Sequence, residues 1–492
     1  MSLCVLIPTP RNDCSLTFCD LGQVISIDVL PDDVLLAAFD FYVDEATKVI
    51  WDVSLPKHLV EGWQPLVHVC RRWRTVVFGS PHRFNLGLGC SFRTPARDKL
   101  DIWPALPLFI FDNRREQRDS ADDVTAILRR SDRVRQIRLD DLSGWHLEKV
   151  LQAMQVPFPE LTHLELHSLE PRFVPNTVTL FNGSVPHLRV LRLQGIPFPG
   201  LPGLLLSATH LVDLNLRLPR SAYISPEVMV TLLSTLTSLR FLSLGFESRL
   251  SRPERASRRP PPSTRSVLPV LTHFSFNGVG EYLEDIVARI DIPLINRLSI
   301  SFFDRIEFDT RSISYINHIP TFKIFKIARL FFADDGAAVE LYSQPGVLTV
   351  NMPCRLLNRK ISSMGQVCTS CLPSLSTLGD LYISQRQDSR LILPYIHRAL
   401  WLGLLRPFSS VKNLYLSRDV APSIVPALQD IVGGRMTEVL PTLQNITLLQ
   451  PSGPVRGGIE QFVATQVAGH PIAISHQESP LPPLLTSLMD VI

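Results

Sequence analysis

The chain has 492 residues, 45% hydrophobic and 19% charged, a balance that supplies a large apolar core and excludes general disorder. Its length exceeds that of a usual single domain, so a long repeat array or two to three domains is expected. A net charge of +3 is too mild for a nucleic-acid-binding surface, and no apolar run reaches the roughly 18 residues of a membrane span.

Residues 1–25 show no periodic pattern and are expected to be loosely ordered. Pro8 and Pro10 interrupt the only early apolar stretch, Leu3–Ile7, so no secretory leader is read there. The eight cysteines lack a framework spacing. They are expected to be thiols of an intracellular protein, in cytoplasm or nucleus. The glycosylation-type triplets at Asn182 and Asn445 are then chance matches.

A helical module is expected over 26–84. Pro31 suits a first helical position, where a missing N–H costs nothing, and Asp32 and Asp33 favour the positive end of the helix dipole. Val34, Leu35, Ala38, Phe39 and Tyr42 recur at helical spacing and define one apolar face. A second helical stretch starts near Pro65 and carries Leu66, Val69, Cys70, Trp73, Val76 and Val77, with Gly79 and Pro81 as its stop. Arg71, Arg72 and Arg74 fall on its wet side. Periodicity alone is equally compatible with an ordinary small helical bundle.

Leu30-Pro31-Asp32-Asp33-Val34-Leu35, then Phe39, then Val69-Cys70-Arg71-Arg72-Trp73-Arg74 is similar to the F-box signature. Ser80-Pro81-His82-Arg83-Phe84 resembles its close, with Phe84 where the family usually has Trp. The wording is nearest to the large F-box families of mushroom-forming fungi, and residues 44–63 form a longer link between the two halves than is usual. The resemblance implies a module recognised by a Skp-type adaptor and, through it, a cullin ubiquitin ligase. Leu30, Pro31, Leu35, Phe39, Leu66 and Trp73 are the residues it assigns to adaptor binding, shared between interface and core.

Residues 85–120 are proline-rich with short extended runs such as Leu106–Phe111, and read as a connector. From 121 to about 450 a Leu-x-x-Leu-x-Leu pattern recurs. The clean copies are Leu161-Leu164-Leu166, Leu188-Leu191-Leu193, Leu211-Leu214-Leu216 and Leu239-Leu242-Leu244. Looser ones start at Leu271 and Ile295. The starts at 161, 188, 211, 239, 271 and 295 differ by 27, 23, 28, 32 and 24. Val134, Ile327, Leu378, Val411 and Leu443 begin further matches. Each copy offers a strand too short to stand alone, so stacking neighbours into a parallel sheet is the expected solution. Helices are expected between strands at 225–236, where Ser225-Pro226-Glu227 supplies cap, proline and acid, and at 281–290 and 422–432.

The expected fold class is therefore α/β: a small N-terminal helical module, then an irregular leucine-rich-repeat solenoid with a curved parallel sheet. A doubly wound α/β domain is the alternative. The four clean copies should form adjacent parallel strands in sequence order. Residues 249–265, basic and proline-rich, read as a disordered insertion, and 451–492 as a tail.

In such an array the residues between the leucines point away from the core. They give a candidate target-binding face of His163, Glu165, Arg192, Asp213, Asn215, Phe241, His273 and Arg297. This mosaic of both charge signs, aromatics and small polar groups suits a protein target better than phosphate. No nucleophile elbow, P-loop or His-Glu-x-x-His occurs, and Cys368-x-x-Cys371 lacks a second ligand pair. No catalytic residue, metal or cofactor is expected. The functional expectation is a substrate-recognition subunit of a Skp–cullin–F-box ubiquitin ligase. The alternative is a Skp-binding repeat scaffold without a role in ubiquitination, and a hydrolase on an α/β fold is a third class.

Overall fold

The computed structural model describes residues 17–47, 62–90, 100–113, 121–170, 185–247, 265–303, 316–385, 397–432, 439–449 and 473–477, with short gaps inside several of these ranges. The insertion at 249–264, most of the 44–63 link and most of the 451–492 tail lie outside the described residues. The chain divides into two compact units, Met1–Ala208 and Thr209–Ile492.

The first unit opens on an antiparallel hairpin, β1 (Thr17–Asp20) and β2 (Gln23–Ser26), within the stretch expected to be loose. Helix α1 (Asp32–Thr47) follows, starting on the acidic pair as its sequence dictates. The second helical stretch is two helices, α2 (Gln64–Val69) and α3 (Arg71–Gly79). The break is at Cys70, whose backbone is extended (φ −155°, ψ 172°) and whose Sγ accepts a hydrogen bond from the Trp73 N–H at 3.5 Å. Cys70 thus acts as an N-cap, satisfying a donor that the start of a helix leaves open.

Two arginines expected on the wet side instead tie the module together. Arg72 donates to the Leu30 carbonyl and, at 2.7 Å, to Asp32 at the head of α1. Arg74 donates to the Val67 carbonyl at 3.0 Å. Phe39 of α1 packs on Trp73 and Phe84, with ring centroids 4.6 and 6.3 Å away.

The connector read at 85–120 contains strands β3 (Leu88–Cys90) and β4 (Leu108–Asn113), which already belong to the sheet. Next come α4 (Ala121–Leu128), β5 (Val134–Leu142), α5 (Gly144–Ala153), β6 (His163–Ser168), β7 (Val190–Gln194) and α6 (Leu201–Ser207). Neighbouring strands from β3 to β7 pair in parallel, in chain order. Trp63 anchors the module to the first of them, its Nε1–H donating to the Gly87 carbonyl at 3.0 Å. Gly87 is needed there, because a Cβ would lie 2.1 Å from the Phe109 ring.

The second unit begins with β8 (Asp213–Leu218), α7 (Pro226–Ser234), β9 (Phe241–Phe246), β10 (Ser266–Val267), β11 (His273–Gly278), α8 (Gly280–Val287), β12 (Ile290–Asp291) and β13 (Arg297–Phe302). Strands β8, β9, β11 and β13 pair in parallel, with Leu214, Leu242, Phe274 and Leu298 in one register row. The short strands β10 and β12 pair separately, also in parallel. Ser225 caps α7 by accepting from the Val228 N–H at 3.4 Å. Val228 is exposed, whereas Met229, Val230, Leu232 and Leu233 are buried.

After β13 the repeat frame is interrupted. Strands β14 (Ile327–Phe332), β15 (Gly336–Tyr342) and β16 (Val347–Pro353) form an antiparallel meander. β16 pairs with β13, and β14 with β17 (Asp380–Gln385), both in parallel. The Ile327 copy is therefore a strand of the expected type, but two strands separate it from the Ile295 copy. Helix α9 (Leu357–Ser370) precedes β17; α10 (Arg398–Leu405), β18 (Asn413–Ser417), α11 (Ala421–Val432), β19 (Asn445–Leu449) and β20 (Ala473–Gln477) complete the unit. β17 to β20 are again parallel neighbours, and β20 adds a strand from the region read as tail.

Every leucine of the four clean copies is at most 3% exposed. The fold is thus α/β and dominated by parallel pairing, with leucine-rich-repeat strands in both units. A recurring hydroxyl closes the joints between repeats. Thr162 and Thr272, each just after the first leucine of its copy, and Thr442, just before Leu443, donate to carbonyls one repeat earlier, at Arg135, Arg240 and Val411 (3.0, 3.2 and 3.0 Å).

Candidate functional site

Three surfaces could hold a partner: one on α1, and one sheet face in each unit. On α1, Leu35, Phe39 and Val43 are buried against the rest of the module, at 1, 2 and 8% exposure. Leu66 is likewise buried. These three assignments of adaptor binding, Leu35, Phe39 and Leu66, are corrected to core residues, because the three helices cover them without any partner. Leu30 and Trp73 are half-buried, and Pro31 is exposed.

What α1 leaves bare is a neighbouring strip. Val34, Phe41 and Tyr42 are 45, 72 and 47% exposed, and Ala38 is exposed between them. At 3.6 residues per turn these side chains span about 100° of the helix circumference, alongside the buried arc. Val29, at 74% exposure, lies just before the helix. Spacing had joined both arcs into one apolar face; only packing separates them.

In the first unit the outward row of the sheet runs Arg138, Glu165, Arg192 across β5, β6 and β7. Glu165 sits between two guanidinium groups, 3.5 Å from Arg138 and 3.1 Å from Arg192. Arg138 also meets Asp140 at 3.4 Å, and His167 meets Asp141 at 3.5 Å. His163 Nδ1 is 2.9 Å from the Thr162 hydroxyl. This face is strongly charged, but its charges are already matched to one another. Arg138 was not among the sequence candidates, although the Val134 copy places it in the same row.

The second unit differs. One outward row carries Asp213, Phe241, His273, Arg297 and Val347 in register over β8, β9, β11, β13 and β16. The next carries Asn215, Ser243, Ser275, Ser299 and Thr349, and a third Arg217, Gly245, Asn277, Ser301 and Asn351. Phe241 and His273 stack at 4.6 Å between ring centroids. His273 also contacts the Thr272 hydroxyl at 2.9 Å, and burial, with Arg297 beside it, holds its pKa below the usual imidazole value.

Beyond the meander the outward side chains again engage each other. Asn413 donates to Asp380 at 2.6 Å and Asn445 to Asn413 at 2.7 Å, an amide ladder over three strands. Tyr382 and Tyr415 stack nearly parallel at 4.1 Å, and Thr447 meets Ser475 at 2.8 Å. Within the meander itself, Arg329 lies 3.8 Å from Glu340, which accepts from the Tyr342 hydroxyl at 2.7 Å.

The sequence candidates thus fall into two sets. His163, Glu165 and Arg192 share the first unit's face, whereas Asp213, Asn215, Phe241, His273 and Arg297 share the second unit's. Among the described residues no group of His, Cys, Asp and Glu side chains is arranged to hold a metal ion, and no helix is long and apolar enough to cross a membrane. Cys371 lies outside the described residues.

No protein-family model matches the chain, and no curated protein matches it. Among solved structures it is similar to the leucine-rich repeat-containing protein LegL7 from Legionella pneumophila, at 15% identity over 69% of this chain and 92% of that one, with a TM-score of 0.29. It is also similar to a chain of the Rad7 and Elc1 complex in yeast, at 12% identity over 85% of this chain and 89% of that one, with a TM-score of 0.24.

Proposed function

We propose that this chain is the substrate-recognition subunit of a Skp–cullin–F-box type ubiquitin ligase. Its helical module binds the Skp adaptor, its sheet faces hold a target protein, and the ligase core supplies the transfer chemistry. In this reading the chain contributes no catalytic residue and needs no cofactor. The observation that carries it is the bare apolar strip Val34, Ala38, Phe41 and Tyr42 on the helix that opens with the F-box-like Leu30-Pro31. An exposed apolar strip of that width has the character of a partner surface.

The test is retention of a Skp adaptor by the full chain. Phe41→Asp and Val34→Asp change side chains that do not pack in the core, so the fold should persist. Apolar anchors of this kind contribute about 2 kcal/mol or more, so each variant should weaken adaptor binding at least about tenfold. Leu35→Asp is unsuitable, since it would place a carboxylate in the core and unfold the module. The reading fails if the wild-type chain does not retain the adaptor, or if both surface variants retain it fully. Accumulation of a bound protein when the proteasome is inhibited separates a ligase subunit from a scaffold.

A further inference from the structure

The outward faces differ in how much of their hydrogen-bonding capacity is already committed. In the first unit Arg138, Glu165 and Arg192 answer one another, and beyond the meander Asp380, Asn413 and Asn445 do the same. Within the second unit, β8 to β16 form a window whose second row is built of short neutral side chains, of which Ser299 accepts a hydrogen bond from the Asn351 amide at 3.5 Å. Asn215, Ser243, Ser275, Asn277, Ser301 and Thr349 are all half-buried, and none makes a side-chain hydrogen bond within the described residues. Asp213 and Arg297 at the margin already have interaction partners. Arg217, at the β8 end, is exposed and has no ion pair within the described residues.

We propose that this window takes an extended peptide segment of the target that is uncharged along its length, carries an acidic residue at the Arg217 end and sets an apolar side chain on Phe241. The inference rests on the reading of the sheet faces as target-capturing, and narrows it to one face and one chemistry. Neighbouring strands are about 4.8 Å apart, so the window from β8 to β16 runs about 19 Å, room for about six extended residues. Its two inner rows sit two residues apart along each strand, about 6.6 Å. An extended main chain lying between them turns its N–H and C=O groups alternately to either side. Each row then meets one set of them. Asn amides supply both donors and acceptors, and Ser and Thr hydroxyls turn to suit either. A segment charged along its length would lose hydration here and find almost no free counter-charge, which disfavours it strongly. The exposed face of Phe241, its ring tilted 30° to that of His273 with centroids 4.6 Å apart, is the apolar ground of the window.

The experiment uses the purified full chain and a phage-displayed random dodecapeptide library, with binding of the most enriched peptide then measured by fluorescence anisotropy. The expected peptides are poor in Lys and Arg, rich in Ser, Thr, Asn, Gln and Gly around one apolar residue, and acidic at one end. Ser275→Arg, which sets a bulky charge in the middle of the window, should weaken that peptide at least about tenfold. Phe241→Ala should weaken it several-fold, and Arg217→Ala should remove the preference for the acid. Val228→Ala, on the exposed side of α7 and off the sheet face, should leave binding unchanged. The inference is overturned if no peptide is enriched, if the enriched peptides are charged throughout, or if Val228→Ala weakens binding as much as Ser275→Arg. Retention of the chain on a glycan array in place of peptides overturns it equally. Adaptor retention is read on α1 and is independent: peptides without adaptor defeat the ligase reading alone, and adaptor without peptides defeats this inference alone.

Discussion

The sheet of the first unit and that of the second share one construction and differ in what they show to solvent. In both, leucines of the repeat point inward and reach near-complete burial; Leu164 and Leu191 stand in register in one, Leu214 and Leu242 in the other. Outward, the first unit presents Arg138, Glu165 and Arg192 as a closed set of ion pairs, and the second presents serines, asparagines and a threonine in open rows. The inward positions answer to packing, which tolerates little change. The outward ones are free of that demand. Two faces on one scaffold can therefore diverge completely in chemistry while the backbone register stays the same.

The sharpest way to break this comparison is to cut into the shared part. Leu164→Ala and Leu214→Ala should each destabilise by about 2–5 kcal/mol, read by urea unfolding, because both side chains are fully buried. If one is lost cheaply and the other is not, the two units do not share a construction. Next in size is Glu165→Gln. It leaves Arg138 and Arg192 facing each other, yet the site is partly exposed, so a loss of about 0.5–1 kcal/mol is expected, shrinking in high salt. Ser275→Ala in the matching row of the other unit should change stability by less than about 0.5 kcal/mol. An equal loss at both positions would show that the open rows are structural after all.

The smallest effect concerns His273. Its folded pKa is lowered by burial and by Arg297, so the unfolded chain binds the proton more readily. Its contribution to stability is complete above the ordinary imidazole value, about 6.5. It is lost as the pH falls through that value and then through the lower folded one. The melting temperature should therefore decline more steeply on acidification in the wild type than in His273→Gln. Identical slopes would remove His273 from the account of why this face is neutral.

Much of this was legible before any coordinates. The leucine triplets at 161, 188, 211 and 239 located the strands and their inward sides, because a strand buried on one side must alternate. Ser225-Pro226-Glu227 located a helix start, because caps obey local rules. What escaped was decided by distant contacts. Leu35 and Val34 are adjacent on a helix that is apolar over a wide arc, and only the placement of α2 and α3 covers one and not the other. Strand β3 is too short to show a period. Residues 336–353 alternate well enough for strands, but nothing in Gly336–Tyr342 reveals that its partner runs antiparallel on both sides. The sequence candidates on the sheet faces alternate with the buried leucines, and their division into closed and open sets depends on which guanidinium reaches which carboxylate.

The β14–β15–β16 meander also bears on how the protein is made. A repeat array normally lets each strand dock, as it is synthesised, on the strand just before it. Here β14 leaves the ribosome while the strand that will connect it to β13 does not yet exist, since β16 comes about 20 residues later and takes the place beside β13. A strand so placed must wait with both edges unpaired, an arrangement open to wrong partners. The turn from β14 into β15 is short, and Lys360 of α9 caps it by donating to the Ala333 and Asp334 carbonyls. The meander can thus fold as a local hairpin first and be added to the growing sheet as one piece. Because it adds strands in a reversing pair, every later repeat resumes the original direction; a single extra strand would have left β17 to β20 pointing backwards.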